Sequence, residues 1–127
     1  MDYIAYSDES NTGERFTSIA SFSLRKDALS SVNAVLKQIL TESNVYEFKW
    51  QKLKDAKYRH CALKFINAVW KFLGSAEARV DVLVWDNQDS RHAIAGRDDS
   101  ANFGRMFFHL HAVSIKRRPK NSNWELL

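Results

Sequence analysis

Apolar and polar positions alternate along the first part of the chain with the two-residue period of a β-strand. Residues 3–7 form an aromatic and β-branched run, and the turn-forming residues 8–13 follow it. Residues 16–24 then alternate aromatic or apolar side chains with small polar ones, as expected when successive side chains point to opposite faces of a sheet. A strand, a turn and a second strand predict an antiparallel β-hairpin.

Two later segments space their apolar residues three to four positions apart, which is the period of an amphipathic helix. The first runs from Asp27, a residue suited to a helix start, to about Thr41. The second runs from Asp55 to Leu73, and Gly74 stands where a glycine commonly ends a helix. Both segments therefore predict helices of ordinary length.

Residues 79–86 form the most β-rich segment of the chain, with a valine at every second position from 80 to 84. This pattern predicts an inner strand, with Val80, Val82 and Val84 on one face. Aromatic and charged residues alternate at 45–50, which predicts a short edge strand.

The last apolar residues with helical spacing lie at 103–113 and predict a helix that runs into a basic cluster. The alternation of strands and helices indicates an α/β protein, in which we expect strands 3–8 and 79–86 to be neighbours. We predict a single α/β domain over residues 1–118, followed by an unstructured polar tail at 119–127.

The composition agrees with a small globular domain, since 45% of the 127 residues are hydrophobic and 27% are charged. These proportions exclude extended disorder and collagen-like structure. Cys61 is the single cysteine, so a disulfide framework and a multi-cysteine zinc site are excluded. Together with the lack of a basic and apolar leader and of a long uncharged apolar run, this predicts a cytoplasmic protein with no membrane partner.

The charge of the chain permits contact with nucleic acid without requiring it. The 19 Lys and Arg residues exceed the 15 Asp and Glu residues, and the formal net charge is +4. Lys116, Arg117 and Arg118 belong to a basic cluster that has two interpretations. It contacts nucleic acid, or it is a solvated helix end whose cations suit the negative pole of the helix dipole.

Three carboxylates are candidates for a metal site that acts on phosphodiesters. Asp8 and Asp86 each follow a predicted strand, at the end where open α/β sheets place their ligands, and Glu47 lies between them in the chain. Mg²⁺ and Mn²⁺ prefer such oxygen ligands, and Glu9 is a candidate fourth one. Each acid also has a structural alternative, because Asp8 can cap a turn, Glu47 can pair with a nearby lysine, and Asp86 can simply end a strand.

Histidines and tryptophans give weaker indications. His109 and His111 are two positions apart on a predicted helix, so they point in different directions and are expected at the surface. His92 lies in a polar loop and would serve as a proton shuttle only if that loop folds over the site. Trp50, beside Lys49, is the tryptophan best placed to stack on a base.

Two short motifs resemble those of a known family. The segment 6–10, Tyr-Ser-Asp-Glu-Ser, is similar to the Tyr-Ile-Asp-Glu-Ser-Gly signature of the bacterial family catalogued as domain of unknown function 3800. The segment 47–50, Glu-Phe-Lys-Trp, resembles that family's second signature, a Glu followed two residues later by Lys and a bulky residue. The two motifs occur together and in the right order, and the similarity covers about residues 3–115.

The resemblance implies a ribonuclease H-like fold, an α/β mixed sheet with flanking helices and an acidic metal cluster. It matches Asp8, Glu47 and Asp86 to the catalytic, metal-binding acids and implies a nuclease that uses Mg²⁺ or Mn²⁺ on RNA or DNA. Members of the family are usually longer and supply a further acidic residue, so we expect a short or truncated version whose activity is lost or needs a partner chain. The competing hypothesis is a non-catalytic module that binds nucleic acid or protein.

A sheet that ends after its central strand and one helix leaves apolar surface uncovered. Phe103, Phe107 and Leu110 form the candidate stripe on the last helix. We therefore expect a homodimer or a partner protein that covers this helix. The alternative is a monomer in which the last helix packs entirely on its own sheet.

Overall fold

The computed structural model describes residues 2–10, 12–75 and 78–127. Its strands and helices are β1 (Asp2–Ser10), β2 (Phe16–Arg25), α1 (Leu29–Glu42), α2 (Ala56–Gly74), β3 (Arg79–Asp86), α3 (Asp99–Lys116) and β4 (Asn123–Leu126). Contacts divide the chain into two compact units, which we call the sheet unit (Met1–Ser23 with Arg79–Leu127) and the helical unit (Leu24–Ala78). A single domain over 1–118 stays a prediction.

The sheet unit contains a mixed sheet of four strands in the order β3-β2-β1-β4. β2 and β3 are antiparallel, whereas β1 and β4 are parallel. β1 and β2 are neighbours joined by the link 11–15, which is too short for the crossover that a parallel pair needs. The predicted hairpin is therefore confirmed, as is the α/β class with a mixed sheet.

Two predictions about β3 are wrong. The strand is neither an inner strand nor a neighbour of β1, because β2 pairs with both strands and leaves β3 at the edge of the sheet. Its register pairs Phe16 with Asp86 at one end and Ser23 with Arg79 at the other. A β-rich run of residues predicts a strand, but the place of that strand in the sheet depends on which other strands pair with it.

Helix α3 packs on one face of the sheet. It begins after Asp98, whose side chain accepts a hydrogen bond of 2.8 Å from the backbone N–H of Ala101. Met106 and Leu110 are buried against Ile19 of β2. The predicted helix at 103–113 is therefore confirmed and lies on the sheet.

The prediction of an uncovered apolar stripe on α3 is wrong. Leu110 is buried, and Phe103 and Phe107 are partly buried and pack around the same core, because this side of the amphipathic helix faces the sheet. A homodimer or a covering partner stays a prediction. A melting temperature that rises with protein concentration would support it.

The segment 119–127 is not an unstructured tail. Residues 123–126 form β4, which extends the sheet beside β1. Trp124 stacks on Tyr3 with ring centroids 5.1 Å apart. A strand of this length is too short to show a period in the sequence, and it forms because β1 offers a free edge for pairing.

The helical unit has a hydrophobic core of its own. α1 and α2 pack together around Ile39, Tyr58 and the buried thiol of Cys61. α2 begins after Asp55, whose side chain accepts a hydrogen bond of 3.0 Å from the backbone N–H of Lys57. α1 begins at Leu29, two residues after Asp27. Both predicted helices are confirmed within these shifts.

The edge strand predicted at 45–50 is wrong. These residues form bends that lead into a short 3₁₀ turn, Trp50–Lys52. Val45 is buried in the core of the helical unit and Phe48 packs against that core. Phe48 thus packs against Tyr58 and Phe65 of α2 instead of pairing in a sheet, whereas Tyr46 is fully exposed.

Candidate functional site

The carboxyl ends of β1 and β3 lie at the same end of the sheet. Each strand runs antiparallel to β2, so the two are parallel to each other with β2 between them. Asp86 is the last residue of β3 and pairs with Phe16, at the start of β2. Asp8 lies two residues before the end of β1. Two strand spacings, about 10 Å, separate the two strands, so Asp8 and Asp86 belong to the same end of the sheet without being neighbours.

The carboxylate of Asp86 is fully engaged by Arg15. The guanidinium donates from Nε to Oδ1 over 3.3 Å and from Nη2 to Oδ2 over 3.1 Å, and the backbone N–H of Gln88 also donates to Oδ1. These hydrogen bonds, the one from Arg15 above all, hold the pKa of Asp86 below its usual value. A cation or a substrate that uses Asp86 would have to displace Arg15.

Asp8, near the same end of the sheet, has different surroundings from Asp86. Its Oδ1 accepts a hydrogen bond of 3.0 Å from the backbone N–H of Glu9. Among the residues that the structure describes, no cationic side chain pairs with Asp8. Both Asp8 and Glu9 are exposed, so their carboxylates are accessible to a ligand from solvent.

A cleft of about 360 Å³ opens beside the end of β1, within the sheet unit. It lies between the turn that joins β1 to β2 and the first turn of α3. Most of its lining residues carry a side-chain oxygen, and together they are Glu9, Thr12, Gly13, Glu14, Thr17, Asn87, Asp99, Ser100, Asn102, Phe103 and Met106. Sequence reasoning missed Glu14 and Asp99. The signal for Asp99 was present, since an acidic pair before an apolar periodic run marks a helix start.

Glu47 and its neighbours belong to the helical unit. Glu47 Oε2 and Lys49 Nζ form an exposed ion pair of 3.2 Å, which is the structural alternative considered for this residue. Trp50 is 59% exposed and its ring meets Phe48 edge to face at 4.9 Å. The roles of Glu47 as a metal ligand and of Lys49 and Trp50 as nucleic-acid contacts stay predictions.

Two of the three predicted nucleic-acid contacts in the basic cluster, Arg117 and Arg118, contact other residues of the sheet unit. Arg117 Nη1 lies 3.8 Å from Asp81 Oδ1, and the Arg118 guanidinium lies over the ring of Tyr3 at 4.6 Å. Lys116 is exposed and ends α3. The two arginines therefore take part in packing as well as in surface charge.

The histidines differ from one another in their surroundings. His92 stacks on Trp85 with ring centroids 3.8 Å apart, so its ring packs against β3. His111 is partly buried rather than at the surface, which lowers its pKa, and its Nε2 lies 3.2 Å from the hydroxyl of Ser7. His109 is exposed, as predicted.

The side-chain oxygen atoms around the cleft are of the kind that a hard divalent cation binds. Carboxylate, hydroxyl and amide oxygens are the ligands that Mg²⁺ and Mn²⁺ prefer. They are fewer than an all-protein site needs, because within either unit no three described His, Cys, Asp or Glu side chains form a group that could hold a metal ion. The donors present fit an ion that one or two carboxylates share with a substrate phosphate, which is a common Mg²⁺ arrangement.

No helix in the described ranges has both the length and the apolar character needed to cross a membrane.

Comparisons with known proteins give relatives that are uncharacterized. No family model matches the chain. Two proteins of Methanothermobacter thermautotrophicus, uncharacterized protein ORF2' and uncharacterized protein ORF2, are each 36% identical to it, over 97 and 98 residues. Each match covers 73% of this chain and 34% of the relative. The chain thus spans about a third of the length of the curated relatives it matches.

One solved structure is similar, a crystal structure of a mutant of Bst-RNase HIII. The match covers 96% of this chain and 36% of that chain, with 15% sequence identity and a TM-score of 0.47.

Proposed function

We propose that the sheet unit is a nuclease-like domain that hydrolyses phosphodiester bonds of RNA or DNA with the help of Mg²⁺ or Mn²⁺. The observation that carries the proposal is the position of Asp8 and Glu9 near the carboxyl end of β1, where Glu9, Glu14 and Asp99 line a cleft. Ligands of open α/β sheets bind at this end of the strands. The resemblance of segment 6–10 to domain of unknown function 3800, and through it to ribonuclease H-like proteins, also supports a nuclease-like function.

Asp8 is the first metal ligand in this proposal, because its carboxylate is accessible and has no cationic partner among the described residues. Glu9 follows it directly and lines the cleft, whereas Asp8 does not line it, because successive side chains of a strand point to opposite faces of the sheet. A divalent ion held by Asp8 would activate a water molecule and neutralise charge on the phosphate. Asp99 extends the acidic lining on the side of α3.

Arg15 has a role in this proposal as a phosphate contact. Its guanidinium is half exposed and already holds the two oxygens of Asp86. A phosphate group presents the same bidentate geometry to an arginine as a carboxylate does. A bound phosphodiester would compete with Asp86 for Arg15 and leave the Asp86 carboxylate available as a ligand.

The remaining predicted residues keep their roles as parts of the proposal. Glu47 stays a predicted acid of the helical unit, with Lys49 and Trp50 beside it as predicted contacts to the nucleic acid. Lys116, with Arg117 and Arg118, supplies positive charge at the end of α3.

The test measures cleavage of fluorescently labelled single-stranded RNA, double-stranded RNA and single-stranded DNA with Mn²⁺. We expect wild-type protein to cleave at least one of them and Asp8→Asn to lower the rate by about a hundredfold or more. Asp27→Asn is the matched control, since it makes the same substitution at an exposed acid of the helical unit. Its rate should equal that of the wild type.

Calorimetry with Mn²⁺ distinguishes a variant that no longer binds the metal from one that binds the metal but no longer cleaves. Heat of binding that is present in the wild type and absent in Asp8→Asn supports the proposed ligand. Equal heat in both proteins, or none in either, contradicts it. Binding of the oligonucleotides without cleavage, unchanged by Asp8→Asn, would favour the non-catalytic binding module instead.

A further inference from the structure

A groove runs along the outer edge of β3, between this strand and α3. Two cavities of about 430 and 190 Å³ form it, and both are lined by His109. Trp85 and Phe108 line one end, and Asp81 and Arg117 line the other. The groove therefore follows β3 for most of its length, and it lies wholly within the sheet unit.

The β3 side of the groove is a free strand edge. β3 has a neighbour on one side, β2, and is the terminal strand of the sheet. An edge strand directs alternate N–H and C=O groups outward, where they have no strand partner. Extended peptides add to such edges in recognition domains, with affinity from main-chain hydrogen bonds and specificity from alternate side chains.

The α3 side of the groove is basic. Arg105, His109 and Arg117 are separated by multiples of four residues, which places them along one side of the helix, and all three line the groove. Asp81 is the acid near them, and Arg79 already holds it over 2.8 Å while Arg117 lies 3.8 Å away. Among the described residues, Arg105 has no acidic partner.

The other face of the same strand is apolar and uncovered. Val80, Val82 and Val84 are 47%, 61% and 62% exposed. Side chains of a strand added to β3 would alternate between the two faces of the sheet. One set would stand beside the basic row of α3, and the other would stand beside the three valines.

We propose that this edge binds an extended peptide in which acidic and apolar residues alternate, as a fifth strand beside β3. Its carboxylates pair with Arg105 and Arg117 in the groove, and its apolar residues pack on the exposed valines. The positive charges of Arg105 and Arg117 favour acidic residues in the peptide. The two-residue spacing of the valines favours apolar residues at every second position of the peptide. The site is separate from the acidic cleft, so it does not depend on the proposed nuclease function.

The probe is a fluorescein-labelled decapeptide of alternating Glu and Val, with both termini blocked. Its control has the same composition in two blocks, five Val followed by five Glu. In fluorescence anisotropy we expect the alternating peptide to bind at least about tenfold more tightly than the block peptide, because only the alternating one matches both faces.

Arg105→Glu should weaken binding of the alternating peptide by about tenfold, since it replaces an attraction with a repulsion. Arg59→Glu is the matched control, because it makes the same charge change at an exposed arginine of α2 and should leave binding unchanged. Arg105→Gln is a milder second variant that keeps the side-chain length and should weaken binding by a smaller factor. Circular dichroism and melting of all three must match the wild type.

Amide hydrogen exchange locates the bound peptide. We expect the peptide to slow exchange in β3 and to leave β4 unaffected. Equal binding of the alternating and block peptides, or protection at β4 in place of β3, would overturn the proposal. So would displacement of the peptide by a single-stranded oligonucleotide that depends equally on Arg105, or self-association that Val82→Lys abolishes, because the occupant would then be nucleic acid or a second copy of the chain.

Discussion

The two faces of β3 both carry apolar side chains, yet their surroundings are opposite. On one face, Leu83 and Trp85 pack against the core formed with Met106 and Leu110 of α3. On the other face, Val82 and its neighbouring valines remain largely exposed. The same strand thus contributes to folding through one face while the other adds little.

This contrast shows where unused hydrophobic surface lies in the sheet unit. Fully burying a valine side chain is worth about 1.5–3 kcal/mol relative to leaving it exposed. The side chains beneath α3 already contribute this to the free energy of folding. The valine face retains about half of it, because the three valines are 47–62% exposed, and this part is available for association with another chain. Exposed contiguous apolar patches of this kind commonly mark interaction sites.

The largest expected effect tests the packed face. Met106→Ala should lower the free energy of unfolding by about 3 kcal/mol, because it removes a buried side chain and leaves a cavity. Val82→Ala should lower it by less than about 1 kcal/mol, since the valine is already exposed. Urea denaturation of both variants measures the difference.

Equal losses in the two variants would mean that the valine face is covered in solution. Light scattering and the concentration dependence of the melting temperature would then show whether a second copy covers it. A monodisperse monomer with unequal losses agrees with the structure.

An intermediate effect on stability is expected at Asp81, whose side chain links β3 to α3. Its side chain is 12% exposed, forms an ion pair of 2.8 Å with Arg79 and accepts a hydrogen bond of 2.8 Å from Ser114. Burial raises the pKa of Asp81, but the hydrogen bonds from Arg79 and Ser114 outweigh burial and hold the pKa below its usual value. At neutral pH, Asp81→Asn should cost about 2 kcal/mol.

The sign of the pH dependence follows from the lowered pKa. A carboxylate with a depressed pKa in the folded state stabilises the fold above its usual pKa, and this contribution disappears as the pH falls through the folded-state value. The stability difference between wild type and Asp81→Asn should therefore be full at neutral pH and shrink in strong acid. A difference that is constant across this range would show that the charge of Asp81 does not contribute.

The smallest expected effect concerns the start of α3. Asp98→Ala should lower the free energy of unfolding by about 1 kcal/mol, because the first turn loses the side-chain acceptor of the Ala101 N–H. Asp98→Asn should cost much less, since asparagine also caps helices. Thermal or urea unfolding compares the two, and an equal loss in both would point to the charge of Asp98 rather than to its hydrogen bond.

The candidate site was predictable in part. The strand ends that carry Asp8 and Asp86 were recognisable from local pattern, and the parallel direction of β1 and β3 places them at one end of the sheet. The pairing of Asp86 with Arg15 was not, because the two residues are 71 positions apart and meet only through the register of β2 and β3. The ion pair between Glu47 and Lys49 is local, and for that reason it could be foreseen as an alternative.

Local signals in the sequence determined the helices, the hairpin and the strand at 79–86, because periodicity, capping residues and turn formers act over a few neighbouring positions. Tertiary structure decided the rest. β4 forms because β1 has a free edge. Leu83 and Trp85 pack in the core, and the valines do not, because α3 packs on the face that carries Leu83 and Trp85. Both outcomes depend on contacts between distant segments, and a strand that is apolar on both faces does not carry the information that chooses between them.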